Sequence, residues 1–222
     1  MRVPCGFTVI MFVMLGLTGW GYASPASELN GRGIAYGQRG EYQRALESFD
    51  KAIDLDPTVS DYFMNRGLTY YLLGQHRPAI ADLDQAIRLD PGNALAHFNR
   101  GSIYDDAGEP DRALEDYGHA IRLKPSHPGP YRNRAVTYMR RGEFQPALAD
   151  LDRAITLDPT YPAAYLTRAC LHAVMERLDR AEIDYVKARQ LAPRQVPELP
   201  SAATVQEVAC RNLGGVSTRT RR

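Results

Sequence analysis

The sequence predicts an all-α solenoid: one helix–turn–helix unit written five times, closed at its C-terminal end by a capping helix. Three observations predict it. Prolines stand at 57, 91, 125, 159 and 193, each 34 residues from the next. Alanines recur in the same register, as Ala45, Ala79, Ala113, Ala147 and Ala181 and again as Ala52, Ala86, Ala120, Ala154 and Ala188. No insertion interrupts the period from residue 26 to residue 195, and a fixed period of roughly 20–50 residues is the signature of supersecondary units stacked on one another.

The chain opens on a different pattern. Met1 and Arg2 give a short basic start, Phe7 to Trp20 carries no charge, and Gly21-Tyr22-Ala23 places small residues before Ser24. That order is the pattern of a secretory signal peptide over residues 1–23. An uncleaved anchor is the other reading, although the run is shorter than the roughly 20 residues a helix needs to cross a bilayer. Cys5 precedes the apolar run, whereas a lipoprotein cysteine would follow it. The expected location is outside the cytoplasm, periplasmic if the source is bacterial or else secreted, with no stable membrane insertion after cleavage.

Counting back from the prolines gives repeats at 26–59, 60–93, 94–127, 128–161 and 162–195. The twenty-fourth position carries Phe49, Leu83, Tyr117, Leu151 and Tyr185; the eleventh carries Tyr36, Tyr70, Tyr104, Tyr138 and His172. The eighth is Gly33, Gly67 and Gly101, then Ala135 and Ala169. Small residues at positions 8, 20 and 27 let two helices of one repeat approach closely, and large residues at 11 and 24 fill the space between them. The pattern resembles the tetratricopeptide repeat family over 170 of the 222 residues. The resemblance implies two antiparallel helices per repeat, stacked into a right-handed superhelix with a concave groove.

Within each repeat the punctuation fits. Gly40, Gly74, Gly108 and Gly142 end the first helix, because glycine takes a left-handed turn without a Cβ clash. Glu176 breaks that series, so the fifth turn is expected to be less regular. Pro78, Pro110 and Pro146 fall in the first turn of the second helix, where a missing N–H costs little. Asp-Pro pairs at 56–57, 90–91 and 158–159 close that helix. Beyond the repeats, residues 196–213 are expected to cap the stack. Thr204 with Glu207 reads as a capping box, and Val205, Val208, Ala209 and Leu213 share one face of a helix over 204–213. Residues 214–222, with three arginines after Gly214-Gly215, read as a disordered basic tail.

Two polar series run through the repeats. Position 7 is Arg32, Arg66, Arg100, Arg134 and Arg168, and position 23 is Asp82, Asp116, Asp150 and Asp184, with Ser48 in the first repeat. These charges suit an internal ladder of guanidinium–carboxylate pairs; arginine stems lying along a solvated surface are the alternative. Position 6 is Asn65, Asn99 and Asn133, with Thr167 in the fifth slot. An amide both donates and accepts, so evenly spaced amides can read an extended main chain, and some members of the family use an asparagine ladder in this way. Hydrogen bonding to a neighbouring helix is the competing use. The remaining groove positions implied by the resemblance include Met64, Leu68, Phe98, Arg132, Val136, Met139 and Leu166. Such a stripe suits an apolar or helical segment of a partner, or else packing between repeats. The two-carboxylate clamp of chaperone-binding relatives is not matched. Asn30, Ile34, Leu95 and Asn99 occupy its places, and only Asn65 fits.

Cys170 and Cys210 are the two cysteines left after cleavage, and in an exported chain they could form a disulfide or remain two buried thiols. The histidines form no metal-ligand spacing, and His172, in the place of a core tyrosine, is expected to be packed. No phosphate-loop, nucleophile-elbow or zinc-protease motif occurs, so neither catalysis nor a cofactor is expected. The 27 basic residues against 26 acidic ones leave no charge excess for nucleic acid. The function read from the sequence is a non-enzymatic scaffold or adaptor that holds a partner's peptide or helix in the concave groove. The alternative is a structural component of an envelope complex, acting through self-association as a homo-oligomer.

Overall fold

The computed structural model describes residues 24–196 together with Cys210. The expected signal peptide, most of the expected cap helix and the basic tail lie outside the described residues. Five helical hairpins follow one another: α1 (Pro25–Gln38) with α2 (Tyr42–Leu55), and α3 (Ser60–Leu72) with α4 (His76–Leu89). Next come α5 (Ala94–Asp106) with α6 (Pro110–Leu123), α7 (Pro128–Arg140) with α8 (Phe144–Leu157), and α9 (Pro162–Val174) with α10 (Leu178–Leu191). Each helix packs most closely on its hairpin partner and then on the next helix in the chain, the arrangement of a solenoid. No helix of the described residues is long and apolar enough to cross a membrane.

The small positions set the helix spacing. The alanines of both series are buried at 0–1% exposure, and Phe49, Leu83, Tyr117, Leu151 and Tyr185 at 0–2%. At Gly67 an added Cβ would lie 3.0 Å from the Ala79 carbonyl oxygen and 3.1 Å from Asp82 Cβ, which is why glycine is used there. The first helix of every repeat ends in a Schellman turn. In the first, Gly40 N–H donates to Gly37 C=O and Glu41 N–H to Tyr36 C=O. The fifth turn departs from expectation: it has the same pair of bonds, from Glu176 to Ala173 and from Arg177 to His172. Glu176 adopts φ +59° to make them, so regularity there is kept at the expense of a left-handed non-glycine residue. Three of the second helices end on Asx turns, where Asp56, Asp90 and Asp158 accept N–H bonds from Thr58, Gly92 and Thr160.

The arginines and aspartates meet between the helices. Arg66, Arg100, Arg134 and Arg168 each donate Nε and Nη2 to the two carboxylate oxygens of Asp82, Asp116, Asp150 and Asp184 at 2.7–2.8 Å. Three of them also reach back to the preceding repeat through Nη1, to Asp50, Asp84 and Asp152, each at 2.7 Å. One guanidinium therefore fixes the two helices of its own repeat and clips that repeat to its predecessor. The bonds to the position-23 carboxylates hold these guanidinium groups more firmly protonated than usual. Burial would raise the Asp116 pKa, but bonds from Arg100 and from His97 Nδ1 outweigh it and hold the carboxyl below its ordinary value.

The ladder has two gaps. Arg32, opposite Ser48, is exposed and has no carboxylate partner among the described residues. Arg134 lacks the backward clip because Gly118 stands where the first, second and fourth repeats carry aspartate. The C-terminal end is tied in addition by a Cys170–Cys210 disulfide, with Cα atoms 5.1 Å apart. Both cysteines and Val196 belong to the large apolar cluster around α7–α10.

The two kinds of ladder contact should respond differently to substitution. Asp116→Asn leaves Arg100 with a neutral partner at a site 3% exposed and should cost about 2–4 kcal/mol, lowering the melting temperature by roughly 5–15 °C. Gly118→Asp restores the missing clip and removes an interior helical glycine; it should raise stability by about 1 kcal/mol. Thermal melts followed by circular dichroism check both, and equal melting temperatures for all three proteins would contradict the ladder.

Candidate functional site: a polar cavity in the concave groove

The first helices of the repeats supply the wall of a cavity of about 380 Å³ that spans repeats two to four. Position 9 contributes Leu68, Ser102 and Val136; position 6 contributes Asn99 and Asn133. Arg132 lies toward one edge, and Tyr71, Asp105, Asp106 and Arg140 toward the other, because positions 5 and 12–13 sit at opposite ends of the same helices. Tyr117, from a second helix, closes the floor.

The three asparagines do not behave alike. Asn65 donates Nδ2 to Asn30 Oδ1 of the preceding repeat at 3.0 Å. Asn133 donates to Ser102 Oγ at 3.3 Å and accepts from Arg132 Nη1 at 3.1 Å. Asn99, half-buried in the cavity wall, makes no hydrogen bond to any described residue. The expected ladder of three equivalent amides is therefore one unoccupied amide between two that tie neighbouring helices together. Thr167, in the fifth slot, is buried; it accepts from Arg132 Nε at 3.0 Å and donates to Ala163 C=O.

The apolar stripe is divided too. Leu68 and Val136 line the cavity, Val136 being also buried in the cluster around α7–α10, whereas Met64, Phe98, Met139 and Leu166 pack into clusters between helices. Met139 is 3% exposed, and the Phe98 ring stands 6.0 Å from Tyr117 and 5.7 Å from His127. The stripe expected to receive a partner is thus largely packing between helices, and the cavity is more polar than its sequence positions suggest.

Electrostatics sharpen the contrast between the two edges. Asp105 accepts from Thr137 Oγ1 at 2.9 Å and pairs with Arg140; burial raises its pKa, partly offset by those partners. Tyr71 donates its hydroxyl to Asp106, and burial together with that carboxylate pushes the phenol up to about 12. The Tyr117 phenol is raised further by burial and donates to Ser102 Oγ. At the other edge burial lowers the pKa of Arg132, and no carboxylate of the described residues lies within ion-pair distance. Sequence reasoning missed Ser102, Tyr117 and Arg140; only the stacking of repeats shows that they share this cavity. No group of three or more metal-ligating side chains occurs among the described residues.

Family models described as tetratricopeptide repeat match residues 26–59 and 101–179, and one described as TPR repeat matches residues 67–108. No curated protein sequence matches the chain. Several solved structures share the fold. PilW, described as a widely conserved type IV pilus biogenesis factor, is 18% identical, with 89% of this chain and 90% of that chain covered and a TM-score of 0.74. TTC0263, a thermophilic TPR protein of Thermus thermophilus, is 22% identical over 84% and 99%, with a TM-score of 0.68. YrrB, described as a TPR protein with an unusual peptide-binding site, is 20% identical over 76% and 87%, with a TM-score of 0.58.

Away from the groove, three imidazoles are held below the ordinary histidine value of 6.5, with burial the largest cause at His119, His127 and His172. His172 is 5% exposed and its Nδ1 has no hydrogen-bond partner among the described residues. Below pH 6.5 the unfolded chain binds more protons at these residues than the folded one does. Their contribution to stability is therefore complete above that pH and is lost as pH falls through the lower, folded-state values. A melting temperature a few degrees lower at pH 5 than at pH 7.5 is expected, with a smaller difference in His172→Tyr. An equal difference in the variant would contradict the assignment to His172.

Proposed function

Since the chain belongs to the tetratricopeptide repeat family, we propose that it is a non-enzymatic adaptor whose concave cavity holds a peptide segment of a partner protein. The observation that carries this reading is Asn99. Its amide stands in the cavity wall with both donor and acceptor unused by any described residue, between Leu68 and Val136. An extended chain laid across the groove can satisfy that amide with one main-chain N–H and one C=O, while Leu68 and Val136 contact its side chains. The peptide-binding site reported for YrrB supports the reading by likeness of fold. A cavity of this size suits a few residues of extended chain better than the full face of a helix.

We further infer that the protein works outside the cytoplasm. Residues 1–23 support this through their basic start, apolar run and small-residue exit. The Cys170–Cys210 disulfide fits an oxidising compartment.

The two kinds of asparagine provide the test. Asn99→Ala should weaken a partner peptide about 5- to 30-fold, the range for a lost pair of hydrogen bonds, with the melting temperature nearly unchanged. Asn65→Ala, whose amide is engaged with Asn30, should leave affinity unchanged. Isothermal titration of the two variants distinguishes them, and an Asn99→Ala protein with wild-type affinity would reject the reading.

A further inference from the structure

Arg132 is unlike the position-7 arginines that pair with aspartate. Those four guanidinium groups each meet two oxygens of one carboxylate. Arg132 is half-buried at the cavity edge and meets only neutral oxygens, Thr167 Oγ1 at 3.0 Å and Asn133 Oδ1 at 3.1 Å. Those two bonds use Nε and Nη1 and fix the plane of the group; Nη2 has no partner among the described residues. Asp105, the acid of the same cavity, is engaged by Arg140 and Thr137. A fixed cation that has left bulk water with no carboxylate in contact is a receptor for an anion, since the cost of removing it from water is already present in the unliganded protein.

We propose that Arg132 is the specificity-determining residue of the groove and binds a carboxylate of the peptide partner. This rests on the groove reading above and adds the chemistry of the guest. Asn99 and Ser102 line the same cavity, so the carboxylate on Arg132 and the main chain on Asn99 belong to one ligand. Two neutral hydrogen bonds pre-orient the guanidinium, so its planar fork is set before the guest arrives. The carboxylate can be the C-terminal one or that of an Asp or Glu side chain.

The test uses the full oxidised chain, fluorescently labelled, on arrays of ten-residue peptides of randomised sequence in three sets. One set has free C-terminal carboxylates, one is amidated, and one is amidated and lacks Asp and Glu. Binders are expected in the first set, and in the second as well if side-chain carboxylates serve; binding in the third should be at least tenfold weaker. For the best binder, Arg132→Met should raise Kd at least tenfold while Arg153→Gln, an exposed arginine of α8, leaves it unchanged. The melting temperature of Arg132→Met should be equal to or higher than that of the wild type, because an uncompensated half-buried charge is removed. Equal binding to the third set, an unchanged Kd in Arg132→Met, or a melting temperature that falls by more than a few degrees would each overturn the role of Arg132 and leave the groove reading standing. Absence of binding in all three sets would overturn the groove reading as well.

Discussion

A charge placed between two packed helices must find its counter-charge there, and this constraint organises the molecule. The hairpins approach closely through Ala and Gly contacts, so an arginine at position 7 of the first helix is largely removed from water. The position-23 aspartates answer it with both oxygens, and their side chains are 3–10% exposed. This inner pair is the costly one to break. The outer clips to Asp50, Asp84 and Asp152 involve carboxylates 37–55% exposed, so they orient neighbouring repeats more than they stabilise them.

Because each repeat is fixed in this way, the first helices present a wall whose side chains fall at regular intervals. Several groove residues bond to a neighbouring repeat, Asn65 to Asn30, Tyr71 to Asp106 and Arg140 to Asp105, and Phe98 packs against Tyr117 of its own repeat. What remains unoccupied is small and local. Asn99 and one nitrogen of Arg132 face a shared cavity near the centre of the array. On the proposed reading, binding is concentrated in a few residues of repeats two to four.

Much of the fold was legible because it repeats. The 34-residue period and the small residues reflect local rules that hold five times, and the turn glycines one that holds four times. The pairing of positions 7 and 23 was legible for the same reason. The groove was less so. Position 6 names Asn65, Asn99 and Asn133 alike, but their fates depend on the neighbouring repeat: Asn30 stands beside the first and Ser102 beside the third, while the second bonds to none of the described residues. Likewise Met139 and Leu68 share the apolar character expected of a groove, but only Leu68 is left uncovered by the next helix. Glu176 shows the converse, a turn whose geometry is dictated by stacking even where the sequence lacks glycine.

Nuclear magnetic resonance of the arginine side chains tests the division between structural and receptive charge most directly. On titration with a carboxylate-bearing peptide, the Nε–Hε signals of Arg66, Arg100, Arg134 and Arg168 should stay in place, while that of Arg132 moves to saturation with the binding isotherm. Movement of the other four, or an Arg132 signal that remains still while peptide binds, would contradict the account.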